Sequence, residues 1–319
     1  MSVTAINSTS ASALALLTGS AKALQATQTQ VASGLRVREA ADNAAYWSIA
    51  TTGRAHSISL SSADDATGLA AAVADTAALG VEAAAGIVSE IQSRLILAQS
   101  TDVGRGAIND EITALKDQLK SIASAGSFNG QNWLEMGVNQ RPKIESMVAS
   151  ITDDGKNGTS VNVIDFDTAK STLISREEAD DGILTRSYSG TTRSGNAYDY
   201  YLVDVGSAVP ASFGAKEIEV SEDTTYDELE GMVSSVNAMF ARLADAGSSI
   251  GATRNRISAS SDMLKDLQDV TQMGIGRLVD ADMGQQAVLL RAQEAQVQLQ
   301  TQALNIANNS AGMLKALFV

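Results

Sequence analysis

Cysteine is absent from the 319 residues, so the chain makes no disulfide and offers no thiolate to a metal. A single histidine, His56, excludes a multi-histidine zinc site and every motif that needs two imidazoles. The only two prolines, Pro142 and Pro210, lie mid-chain, so 1–141 and 211–319 can run as long helices with no proline break. Aromatic residues make up 4%. The apolar share is therefore mostly Ala, Leu, Val and Ile, which build good helices with thin side-chain layers. The first residues lack the basic start and long apolar run of a secretory signal. No stretch approaches the ~20 apolar residues of a membrane span, so no membrane insertion is expected. Nor is any nucleophile–base pair, metal set or cofactor motif visible, which makes an enzyme the weakest reading.

Charge is unevenly spread. Residues 142–230 hold 18 Asp and Glu against 7 Lys and Arg, so −11 of the net −14 sits there. An acidic middle between near-neutral ends predicts a solvated outer module on an associating stem. It argues against nucleic acid, which needs a basic face.

The two ends are built alike. Residues 1–35 carry one charged side chain, Lys22, and 283–319 carry three, Arg291, Glu294 and Lys315. Leu14, Leu17, Ala21, Leu24, Val31 and Leu35 recur at 3–4 spacing, broken by Gln28. Val288, Ala292, Ala295, Leu299, Ile306, Met313 and Ala316 do the same, broken by Gln302 and Asn309. This spacing predicts the seam of a two-stranded coiled coil. Two sticky helices at the two termini predict a protein that joins others of its kind.

Between them the pattern predicts helices over 4–34 and 43–100, the latter burying Val88, Ile91, Leu95 and Ala98. A turn at 101–106 leads to a third helix with Ile108, Ile112, Leu115, Leu119 and Ile122 inward, ending near Gly126. From 142 the texture changes: 153–158 is turn chemistry, and 160–166, 198–205 and 216–220 alternate as strands, with Val161 and Val163 on one face. Helix resumes near 225 under a Thr224 or Thr225 cap, with Leu229, Met232, Val233, Val236, Phe240 and Leu243 as its stripe. A glycine-containing break at 247–251 precedes another helix, with Ile257, Leu264, Leu267 and Leu278 inward. The last helix covers 283–317. The expected fold is mainly α, a long antiparallel coiled-coil stem built from both chain ends, with a small β-containing domain inserted mid-chain.

Four separated motifs carry a resemblance. The stretch VASGLRVREAADNAAYWSIA (31–50), with Gly34, Arg36, Asp42 and Asn43, resembles the N-terminal signature of bacterial flagellin. The turn of Phe128, Asn129 and Gly130 resembles the one that closes the family's N-terminal conserved half. SSIGATRNRI (248–257), with Asn255 and Arg256, is similar to a family segment on the C-terminal side. The stretch from Leu278 to Phe318, with Asp280 and Asp282 before a Gln- and Ala-rich helix, resembles the C-terminal signature. Ala44, Ala45, Tyr46 and Trp47 after Asn43, no proline near the end, and Asn132-Trp133-Leu134 resemble the alphaproteobacterial type.

The resemblance implies a structural subunit of the flagellar filament: secreted unfolded by type III export, assembled at the tip, extracellular, and serving motility. It implies a terminal domain from 1–42 and 278–319, a spoke domain from 43–141 and 226–277, and a variable outer domain over 142–225. Self-association is implied, as a helical homopolymer or in co-assembly with other flagellins, with the export apparatus, an export chaperone, and filament cap and junction proteins as further partners. Seven glutamines lie between 285 and 302; the family places this helix at the bore, so Gln285, Gln293, Gln296 and Gln300 are expected to line it. Arg36, Arg38, Glu39 and Asp42 lie as far from one end as Asp280 and Asp282 from the other, and are expected to meet. Gln92 stands where enteric members place an Arg central to Toll-like receptor 5 contact, which implies a poor agonist. The alternatives are a hook–filament junction protein, or a coiled-coil surface binding module.

Overall fold

The computed structural model describes residues 8–100, 104–153 and 159–317. Parts of the predicted turns at 101–106 and 153–158 lie outside them. Among the described residues five α-helices, α1 (Ser8–Ser33), α2 (Ala44–Leu97), α3 (Arg105–Ala125), α4 (Tyr226–Val279) and α5 (Met283–Leu317), account for most of the chain. Nine strands fall between α3 and α4: β1 (Ser127–Phe128), β2 (Gln131–Asn132), β3 (Glu135–Met136), β4 (Ile144–Asp153), β5 (Thr159–Asp167), β6 (Ile174–Ser175), β7 (Tyr188–Thr191), β8 (Ala197–Tyr201) and β9 (Lys216–Glu217). The chain divides into two compact units, residues 1–58 with 268–319, and residues 59–267.

In the second unit the core is a layer of small and branched side chains. Ala74, Ala77, Val81, Ala84, Val88, Ile91 and Leu95 of α2 face Ile108, Ile112 and Leu119 of α3 and Leu229, Val236, Met239, Leu243 and Ile250 of α4. The strands close over it. Trp133 is fully buried and stacks on Phe166 at 4.3 Å. β4 and β5 form a long antiparallel hairpin with a bulge between Val148 and Ser150; Val148 and Ile151 pack on Leu60 and Ala63 of α2 and Leu264 of α4. β7 and β8 are antiparallel, and β9 adds to β8 in parallel.

Several expectations are corrected. The break at 247–251 does not occur: α4 runs unbroken for 54 residues. Glycine in a helix costs only about 1 kcal/mol, and packing of Ala246 and Ile250 into the core outweighs that. Phe240 is exposed and Met239 takes the core position. Val161 and Val163 do share one face of β5, the exposed one, while Ile164 and Phe166 are buried. The strand β4 carries no clean alternation in its sequence, because Met147, Val148 and Ala149 are consecutive where the bulge interrupts the pleat. Finally, α2 is long and apolar enough by length and composition to cross a membrane, with 44% of that stretch buried inside the fold. Its alanines and valines are spent on the core, as in a helix hydrophobic enough to be wrapped by its own chain.

At the start of α4 a capping box forms. Thr225 N donates to Glu228 Oε2 at 2.9 Å, and Glu228 N donates to Thr225 Oγ1 at 3.2 Å. Two orphan donors of the first turn are satisfied at once. The Thr225 amide, and then the Thr225 hydroxyl at 3.0 Å, both donate to Glu228 Oε2 and hold its carboxyl below the usual range.

Candidate assembly site

The first unit holds the residues that the sequence marks for self-association. α1 runs into Gly34, whose φ of 69° ends the helix in the left-handed region that glycine tolerates best. The chain then pairs with the segment that launches α5. Arg36 N and Val37 N both donate to Val279 O, at 2.7 and 3.1 Å, and Ala281 N donates to Gly34 O at 2.9 Å. Leu35 and Asp280 form an antiparallel bridge. α1 and α5 therefore leave one clasp in opposite chain directions and pack along each other. Below the clasp, Val37, Ala50 and Val279 form a small core with Leu35, Ile275 and Leu278.

The charged residues of the clasp serve backbone rather than one another. Arg36 Nη2 donates to Leu278 O at 2.9 Å, and its guanidinium lies 5.8 Å from the Tyr46 ring centre. Asp42 Oδ2 accepts from Arg38 N and Glu39 N at 2.9 and 3.2 Å. Those two bonds hold its carboxyl below the usual range. Asn43 Oδ1 accepts from Tyr46 N at 3.0 Å and so caps α2. Asp282 Oδ1 accepts from Gly284 N and Gln285 N at 2.9 and 3.1 Å and caps α5. The structure thus brings the 34–37 and 279–281 segments together through main-chain bonds. The ion pair seen in this cluster is Arg38 with Glu39, at 3.9 Å.

Along the two helices, the faces sort as follows. On α1, Leu17, Ser20, Leu24, Val31 and the fully covered Thr27 are turned inward, while Leu14 is exposed. On α5, Gln286, Leu290, Gln293, Val297, Gln300 and Leu304 are the half-buried positions. Val288, Leu299 and Ile306, expected at the seam, are 71%, 65% and 70% exposed. At 3.6 residues per turn they share a face with Ala292 and Ala295, roughly half a turn from the inward one. Gln285 and Gln296 are exposed; Gln293 and Gln300 belong to the inward face. Met313 lies in α5, its side chain outside the described residues. The inward face escaped the sequence reading because half its members are glutamines, although its 4–3–4–3–4 spacing is as regular as that of the apolar stripe.

The remaining motif residues fall in the second unit. Asn129 and Gly130, at φ 50° and 78°, form the tip of the β1–β2 hairpin beside Phe128. Asn255 and Arg256 are exposed on α4. Asn255 borders an open polar cleft of about 540 Å³ with Thr67, Ser261 and Lys265, in which Arg254 pairs with Asp75. Gln92 Nε2 donates to Asn237 Oδ1 at 2.8 Å, and Arg94 is paired with Glu111 at 3.0 Å.

Residues 5–139 match the family model described as bacterial flagellin N-terminal helical region, and 233–318 match bacterial flagellin C-terminal helical region. The chain is 40% identical over 299 residues to flagellin C of Rhizobium meliloti strain 1021, covering 92% of both. It is 31% identical over 388 residues to flagellin A of Rhizobium meliloti, covering 98% of each. A flagellin of Brucella melitensis biotype 1 is 31% identical over 313 residues, covering 98% of this chain and 97% of its own.

Proposed function

The chain belongs to the bacterial flagellin family, a structural protein of the extracellular flagellar filament, and we propose that it polymerises through the outward apolar face of α5. The observation that carries this is the exposure of Val288, Leu299 and Ile306 on a helix whose other side is already packed. Three large apolar side chains in one stripe have no reason to face water unless a further copy covers them. Covering them gains ~25 cal/mol per Å² of apolar area removed from water. The clasp of 34–37 with 279–281 sets where α1 ends and α5 starts, and so presents the stripe in one orientation. The terminal domain comprises 1–42 and 278–319, the spoke 43–141 and 226–277, and the outer domain 142–225. Gln285 and Gln296, exposed and uncharged, line the bore, where a neutral polar wall neither traps apolar segments nor holds charged ones.

The family supports further partners for this chain: the export apparatus, an export chaperone, and the filament cap and junction proteins. Gln92 is committed to Asn237 and Arg94 to Glu111, which supports weak recognition by Toll-like receptor 5; enteric-level potency in a reporter-cell assay would refute that. Relatives that carry the name flagellin and match over nearly their whole length favour a filament subunit over the hook–filament junction reading.

The experiment is seeded growth. Purified full-length chain is mixed with sheared filament ends and imaged by electron microscopy, beside the Val288→Asp/Leu299→Asp variant. Long tubes of uniform width from the parent and none from the variant are expected. Equal growth by both would remove the outward face of α5 from the assembly contact.

A further inference from the structure

Three glutamines on α5 have no place in the assembly surface. Gln286, Gln293 and Gln300 stand seven residues apart, one every two turns, all on the half-buried inward face. The Oε1 atom of each is buried and receives no hydrogen bond from the described residues. The inward face of α1 offers leucines at 17 and 24, Val31, and the small hydroxyls of Ser20 and Thr27. A buried carbonyl that gives up its water and gains no donor weakens the pairing that buries it. On the inward face of α5 the glutamines alternate with Leu290, Val297 and Leu304, so every second position of the layer carries that cost.

We infer that Gln286, Gln293 and Gln300 act as a brake on the pairing of α1 with α5 in the single chain, holding it weak until a second copy covers the outward stripe. Leucines at these positions would complete an apolar seam on both helices, and the pair would then close without help. With one charge in residues 8–33 and no buried ion pair among the described residues to specify it, such a pair would stick within and between free chains. The glutamines keep the contact geometry while taking three of the six inward positions of α5 out of its apolar driving force. Unlike a charged residue, glutamine can remain in the layer once the assembled pair is held from outside. The inference rests on the proposed assembly role for the release of the brake and for its second readout.

The test is the full-length Gln286→Leu/Gln293→Leu/Gln300→Leu variant, studied first as monomer at a concentration below polymerisation. Hydrogen exchange of the α1 and α5 amides is expected to slow by at least about tenfold relative to the parent. Gln285→Leu/Gln296→Leu, on the exposed side, should leave exchange unchanged. Without seeds, the triple variant is expected to form tubes after a shorter lag than the parent. Parent-like exchange in the triple variant would overturn the brake, as would equal slowing in the Gln285→Leu/Gln296→Leu control. If the triple variant precipitates, Gln293→Leu alone is measured the same way, and a slowing below about twofold counts against the inference. The Val288→Asp/Leu299→Asp variant separates the two ideas: loss of growth there bears on the outward face and leaves monomer exchange untouched.

Discussion

Lys116, on α3, donates through Nζ to Glu217 Oε1 at 2.8 Å, with its side chain only 5% exposed. The same ammonium donates to Ile218 O at 2.5 Å. A buried cation is tolerated only with partners in place. This one ties the returning strand β9 to a helix 101 residues earlier. Glu217→Ala leaves the charge in a covered site with one carbonyl for company and is expected to destabilise the chain by roughly 2–4 kcal/mol. Lys116→Met, which removes the charge and keeps the packing, should cost less. Urea unfolding of the two variants checks the order, and the reverse order would show that the pair is not what holds β9.

Two glycines of α4 should respond in opposite directions to alanine. A Cβ on Gly231 would meet Tyr198 Cβ at 2.9 Å and Tyr200 Cε2 at 3.1 Å, while nothing lies within 4 Å of one on Gly251. The first clash is with an atom anchored to backbone, so no rotamer relieves it, and overpacking of this kind costs about 1–3 kcal/mol. At Gly251 only the conformational gain remains, about 0.4–1 kcal/mol of stabilisation. Thermal melts of Gly231→Ala and Gly251→Ala should therefore bracket the parent. A destabilised Gly251→Ala would mean that the helix needs flexibility there.

Gly251 also marks what the amino-acid pattern could and could not say. A glycine pair with two serines reads as a break because local propensity is all that a short window holds. The continuous helix is set by Ala246, Ile250, Ile257 and Leu264, whose burial depends on chain far away. The clasp was legible in outline, since Arg36, Asp42, Asp280 and Asp282 sit at matching distances from the ends. Its chemistry was not, because main-chain bonds such as Arg36 N to Val279 O leave no side-chain signature. The stripes on α5 were half legible: Val288, Leu299 and Ile306 stand out as apolar, but periodicity alone does not tell an intrachain seam from a face kept for another copy. Glutamine at 286, 293 and 300 reads as solvated surface until a facing helix is seen.

Gly34 should be intolerant of alanine for a reason that is purely conformational. Its φ is 69°, and a Cβ there would meet nothing within 4 Å. Strain in the left-handed region costs a residue with a side chain roughly 1–2 kcal/mol, and here it acts on the bond from Ala281 N to Gly34 O. Asparagine adopts this conformation more readily. Seeded growth is expected to fall for Gly34→Ala and to recover in part for Gly34→Asn. Equal loss in both would point to packing in the filament instead of strain.

Asp42 gives the clasp a dependence on pH whose sign follows from its bonds. The amides of Arg38 and then Glu39 favour the carboxylate, so its folded pKa lies below the unfolded value. A group of this kind adds stability that is present above the unfolded pKa and lost as pH falls through the folded one. Asp42→Asn keeps an acceptor oxygen but has no charge to lose. The parent should thus melt at higher temperature than Asp42→Asn at neutral pH, with the gap closing on acidification below the ordinary aspartate range near about 4. Melts followed by circular dichroism at a series of pH values measure that gap. A difference that stays constant down to pH of about 2 would assign the effect to the shape of the side chain and not to its charge. Closure of the gap would place the acid sensitivity of the clasp, where α1 ends and α5 starts, on one carboxylate and the two amides it binds.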